Sequence, residues 1–108
     1  MTDEKYMNAI SDLSMWDVLF NTLPGGDLIR KGLSDLDSGV RSASALLVLI
    51  GGTRLRNLGL PVPQGEGDPE YLLYDLLSLD DPDSAHSRYN ALIRTLVSFE
   101  RAAECAIK

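Results

Sequence analysis

Ala9, Leu13, Trp16, Phe20 and Leu23 recur at alternating intervals of four and three, the spacing that stacks side chains on one face of an α-helix. The pattern predicts a helix from about residue 4 to Thr22. Pro24-Gly25-Gly26 stops it, because proline has no amide to donate and glycine favours turn conformations. A second stripe, Ile29, Leu33, Leu36, Val40, Ala43, Leu47 and Ile50, keeps the same alternation after Asp27, a good N-cap residue. Its simplest reading is one continuous helix of about 24 residues, roughly 36 Å long. The alternative is a break near Ser38-Gly39, since an interior glycine costs about 0.5–1 kcal/mol relative to alanine. Gly32 and Gly39 stand seven residues apart beside the stripe, where a missing side chain lets another helix approach closely.

Gly51 and Gly52 are expected to end this helix, one of them as the left-handed residue after the C-cap. Thr53 is then read as the cap of a short helical turn through Leu58, ended by Gly59, and residues 60–67 as extended connection. Asp68-Pro69-Glu70 and Asp81-Pro82-Asp83 repeat one start signal: an aspartate cap, a proline at the first helical position and an acid in the first turn. They predict a short helix over about 69–79 and a long one over about 82–106. The latter carries a third stripe of Ala85, Tyr89, Leu92, Leu96, Phe99, Ala103 and Ala106, widened by Ile93 and Val97. Ala45 to Ile50 taken alone suits a buried strand, but no partner strand exists for it. The expectation is a single all-α domain over residues 1–108, a helical bundle of three long amphipathic helices plus one or two short ones.

Composition agrees with a packed domain. The chain of 108 residues is 44% hydrophobic and 24% charged, enough for one core. The apolar run from Ala45 to Ile50 is far short of the roughly 18–20 residues that span a bilayer, so no membrane association is expected. The start, Met1-Thr2-Asp3-Glu4-Lys5, has no basic region followed by an apolar core, which predicts no secretory signal. One cysteine, Cys105, fits a reducing, cytoplasmic setting.

Charge changes the picture more. The net charge is -6, and the stretch between Gly65 and Ser84 holds Glu66, Asp68, Glu70, Asp75, Asp80, Asp81 and Asp83 with no base among them. A chain of this balance lacks the cluster of bases that releases counterions from a phosphate backbone, so nucleic acid is disfavoured as a partner.

The stretch Gly51-Gly52-Thr53-Arg54-Leu55-Arg56 invites sharper readings, yet it has the spacing of neither a phosphate loop nor a dinucleotide loop. As a DNA-reading turn it is followed by only about six residues before Gly59 and Pro61, too few to lie along a major groove. The bland reading is a corner between two helices, with Arg54 and Arg56 as candidate anion contacts. Arg94 and Arg101, with Asn90 and Lys108, form a polar stripe on the last helix and are candidates of the same kind. His86 and Cys105 lie 19 residues apart on that helix, about 28 Å, so they cannot form a catalytic dyad within a chain. Cys105 is read as a packing residue of the late helix and His86 as a polar residue of its first turn. Asp80, Asp81 and Asp83 read as caps rather than metal ligands, and Asp35-Leu36-Asp37-Ser38-Gly39 is only a partial echo of a calcium loop. No catalytic residue, metal or cofactor is expected.

One segment carries more apolar surface than its own chain can bury. Tyr71 to Leu79 is apolar around most of its circumference, with a polar edge only at Asp75 and Ser78. The expected arrangement has Leu72, Leu76 and Leu79 facing the core while Tyr71, Leu73, Tyr74 and Leu77 form a protein interface, with a second copy as the simplest partner. The function expected from these features is protein–protein binding by a small acidic helical adaptor, regulator, or immunity- or antitoxin-like inhibitor, acting as a homodimer. A nucleic-acid-associated regulator using Arg54, Arg56 and the C-terminal arginines is the alternative class, and a carboxylate-based enzyme a third.

Overall fold

A computed structural model describes residues 15–65 and 67–107. The predicted helix before residue 15, Glu66, and the Lys108 end of the polar stripe lie outside the described residues. Within them the fold is all-α, with no strand. Residues 15–22 form α1, followed by α2 (Gly26–Asp37), α3 (Ala43–Ile50), α4 (Gly52–Asn57), α5 (Pro69–Asp80) and α6 (Ala85–Ile107). Among the described residues only α6, at 23 residues, is long, and the second predicted long helix is replaced by shorter pieces.

The largest correction is the continuous helix over residues 27–50, which is two helices. α2 ends in a Schellman motif, where the amide of Gly39 donates to Leu36 O (3.1 Å) and that of Val40 to Asp35 O (2.7 Å). Gly39 sits at φ +77°, the left-handed region that glycine enters without a Cβ clash. Ser42 then starts α3, its Oγ accepting from the amide of Ala45 at 3.1 Å. Asp35 ties the two ends together by accepting from Ser42 Oγ (2.5 Å) and Lys31 Nζ (2.6 Å). Those two hydrogen bonds hold the Asp35 carboxyl below its ordinary range.

α3 is the core helix. Ala45, Leu46, Leu47 and Val48 are buried in succession, so it has no polar face, and α2, α5 and α6 pack around it. A helix apolar on every side extends whatever stripe precedes it, which is why the four-three alternation ran unbroken across the turn. Ile29 of α2, Leu55 of α4, Leu60 and Val62 of the extended segment, Leu73 and Leu77 of α5, and Leu96 and Phe99 of α6 complete one core. Phe99 stacks on Phe20 at a centroid distance of 6.1 Å, and Phe20 meets Trp16 at 5.5 Å, which brings α1 against the C-terminal half of α6.

The helix caps match the sequence signals only in part. Asp68 caps α5 as expected, accepting from the amides of Glu70 (3.1 Å) and Tyr71 (3.2 Å), with Pro69 in the first turn. Asp27 is not the cap of α2. The helix begins a residue earlier behind Gly25, which leaves Asp27 in the first turn, where its charge still suits the helix dipole. Asp81 accepts from the amide of Asp83 (3.2 Å) and the hydroxyl of Ser84 (2.8 Å), but residues 82–84 form a turn and α6 proper starts at Ala85. Thr53 lies inside α4, whose N-cap is Gly51.

Candidate functional site

Because α5 is capped at Asp68 and pinned to α6 by Tyr74, its rotation is fixed. Tyr74 packs against Tyr89 (centroids 5.6 Å apart) and edge-on to His86 (6.5 Å), both on α6. Burial from water, with the negative charges of Glu70 and Asp68 nearby, raises the Tyr89 phenol above its ordinary value. This rotation sends Leu73 (0% exposed) and Leu77 (3%) into the core and leaves Tyr71 (65%) and Leu79 (78%) outside, with Leu72, Tyr74 and Leu76 also exposed. The expected facing is therefore inverted for the leucines, while Tyr71 and Tyr74 lie outside as expected: Leu73 and Leu77 are core residues, and Leu72, Leu76 and Leu79 form the outer stripe. Residues 73 and 77 lie four apart, and 72, 76 and 79 follow the four-three spacing, so periodicity alone does not choose between them.

Leu72, Leu76 and Leu79 line a shallow groove of about 220 Å³ whose floor includes Leu46 of α3. Arg41, just before α3, and Asp75 of α5 border it with opposite charges. Among the described residues neither takes part in an ion pair, although Lys31–Asp35, Arg88–Asp80 and Arg54 with Glu100 and Glu104 all do.

The arginines singled out in the sequence divide into two groups. Arg54 grips Glu104 with two hydrogen bonds, Nε to Oε2 at 2.8 Å and Nη2 to Oε1 at 2.6 Å, and reaches Glu100 Oε1 at 3.5 Å. This fork clamps α4 onto α6. Arg56 donates to the carbonyls of Val62 (3.2 Å) and Pro63 (3.4 Å), fastening the extended segment to α4. Both side chains are thus occupied within the chain. Arg94 and Arg101 are exposed on α6, and Arg94 makes only a long contact to Asn90 O at 3.4 Å.

The glycine pair has a packing role. Neither Gly51 nor Gly52 is left-handed; Gly51 has φ −82°. A Cβ on Gly51 would sit 2.9 Å from Leu96 Cδ1 and 3.0 Å from Glu100 Oε2, so its absence lets α6 approach the α3–α4 corner. Glu100, only 4% exposed, is the polar group that sequence reading missed, since it lies beside the Phe99 stripe and looks like a surface position. Burial raises its carboxyl above the ordinary Glu value and Glu104 adds to this, while Arg54 opposes it.

A consequence for stability follows from the sign of that shift. A carboxyl whose folded value is raised favours the fold most below its ordinary value, and this contribution is lost as pH rises through the raised one. Glu100→Gln keeps the shape and removes the charge that must be desolvated. Urea titrations should show the variant gaining on the wild type from pH 4 to pH 8. A difference that does not change with pH would mean that Glu100 is not held in this environment.

The remaining candidates do not converge. His86 and Cys105 both lie on α6 and both are exposed, so Cys105 is not the packing residue expected, because the late turns of α6 turn that side to solvent. His86 contacts Asn90 across one turn at 3.2 Å. Among the described residues no group of three or more His, Cys, Asp or Glu side chains is placed to hold a metal; Asp68 caps α5 and Asp81 braces the turn before α6. Of the nine large hydrophobic side chains exposed among the described residues, five (Tyr71, Leu72, Tyr74, Leu76 and Leu79) lie on α5. No protein family, characterised protein or solved structure matches this chain.

Proposed function

We propose that this chain acts by binding protein through the outer face of α5, as a small non-enzymatic adaptor, regulator or inhibitor. The observation that carries the reading is that one helix of 12 residues exposes Tyr71, Leu72, Tyr74, Leu76 and Leu79 together, beside an apolar groove. Single exposed apolar residues are ordinary, but five on one short helix, three of them lining a groove, mark a candidate interaction site. Tyrosines suit such a patch, since they bring large contact area with few rotatable bonds. The nucleic-acid reading is weaker because Arg54 and Arg56 spend their donors inside the chain, leaving Arg94 and Arg101 against a net charge of -6. Catalysis by Glu100 is also disfavoured, as its carboxyl is packed against the Gly51 corner and faces Arg54. A cytoplasmic setting suits the exposed thiol of Cys105, and among the described residues no helix is long and apolar enough to cross a membrane.

A photo-reactive amino acid placed at Leu79 tests this reading in the cells that make the protein. It should yield covalent adducts with protein, whether a different chain or another copy, whereas the same group at Ser98 on the far half of α6 should not. No adduct at position 79, or equal labelling from both positions, would sink the assignment of α5.

A further inference from the structure

Arg41 and Asp75 both line the Leu72–Leu76–Leu79 groove, one from the start of α3 and one from α5, and among the described residues neither has an ion-pair partner. We propose that the groove is the isologous interface of a homodimer, in which Arg41 of each chain pairs with Asp75 of the partner subunit. This rests on the reading of α5 as a protein-binding face and names what binds there.

Three features select a second copy. First, the two charges bordering the groove are opposite in sign. A twofold axis along the groove sets the Arg41 edge of one chain against the Asp75 edge of the partner subunit, so that each arginine meets an aspartate and both charges are satisfied at once. A partner surface of one sign satisfies only one of them and repels the other. Second, the outer stripe is apolar and self-complementary in chemistry. Leu72, Leu76 and Leu79 have an equivalent surface to meet only if the same surface returns from the other side. Third, α5 carries Glu70, Asp75 and Asp80 and no base, so stacking α5 directly on α5 brings acid against acid. Arg41 lies across the groove at the start of α3, so the favourable arrangement sets α5 of one chain over the Arg41 edge of the other. The charges therefore specify the orientation and the leucines supply the contact. Arg88 neutralises Asp80 within the chain at 2.8 Å and Glu70 does not line the groove, which leaves Asp75 as the acid at the groove open to the partner.

Sedimentation equilibrium of the full chain, with the Arg41→Asp and Asp75→Arg variants and their combination, tests the pairing. The wild type should dimerise. Each single reversal sets two like charges against each other at both ends of the interface and should weaken the dimer by about tenfold or more. The double reversal restores opposite signs and should return the dissociation constant to within about threefold of the wild type. Leu76→Asp should give a monomer with unchanged circular dichroism. A wild type that stays monomeric at high micromolar concentration overturns the inference. So does a dimer whose single reversals are silent, or whose double reversal is no better than either single one. These outcomes separate the two claims. If the chain is monomeric but a photo-reactive group at Leu79 still captures a different protein, α5 remains a binding face and only the self-pairing falls. If the chain dimerises and neither Leu76→Asp nor the charge variants affect it, the dimer uses another surface and the pairing falls with it.

Discussion

Replacing Gly32 with alanine will destabilise the fold by about 1–3 kcal/mol, the range for forcing an added methyl group into a packed interior. Gly32 is buried on the face of α2 that meets α3, where a Cβ would come to 2.3 Å from the backbone oxygen of Ser44 and 2.5 Å from Val48 Cγ2. A side-chain tip can rotate away from such a contact, but a backbone oxygen inside a helix cannot. The methyl group therefore has to push α2 and α3 apart along the most extensive helix–helix contact among the described residues. For a domain of this size each kcal/mol lowers the melting temperature by about 4–8 °C. The urea midpoint should fall with an unchanged slope, since the surface exposed on unfolding is the same. A midpoint within about 0.5 kcal/mol of the wild type would show that these helices are not in contact at Gly32.

Gly32 and Gly39 also show how far the sequence could be read. Both stood beside one stripe, and a close helix approach was the expectation for each. At Gly32 the approach is real, but the approaching helix is the second half of what looked like the same helix. At Gly39 there is open space around the Cβ position, and the glycine is needed for its positive φ. Hydrophobic spacing does not distinguish these uses, because both halves bury one face and α3 buries every face. The termination signal was present locally, in Gly39 followed by Ser42 as a cap, but three apolar residues of the stripe outweighed it in the pattern. Asp68-Pro69 was legible because its hydrogen bonds close within three residues. The role of Gly51 was not, since the atoms that demand a glycine there, on Leu96 and Glu100, are more than forty residues away.

The candidate surface was legible in the same partial way. An excess of apolar residues on α5 is a property of composition and could be seen, whereas the direction each leucine faces is set by the packing of Tyr74 against α6. Two sets of leucines were offered, and tertiary contacts chose Leu73 and Leu77 for the core. The burial of Glu100 is of the same origin. Its partner Arg54 lies 46 residues earlier, and only the fold brings them together.

That choice gives the second large effect. Leu73→Ala should cost about 2–5 kcal/mol, the range for deleting a fully buried leucine whose neighbours close only partly over the space. Leu73 is wholly buried among the core residues between α3 and α5, so few of its contacts can be recovered from solvent. Against a total stability of about 5–15 kcal/mol this is a large fraction, and Leu73→Ala combined with Leu77→Ala should leave little folded protein at 37 °C. Leu76→Ala, one turn of the helix around, should change the stability of the isolated chain by no more than about 1 kcal/mol, since that side chain is already exposed. Thermal melts of the three proteins at low concentration, where association does not contribute, measure the contrast. Equal losses from Leu73→Ala and Leu76→Ala would mean that α5 is rotated from the position described, and the groove beside Arg41 would then belong to the core rather than to a partner.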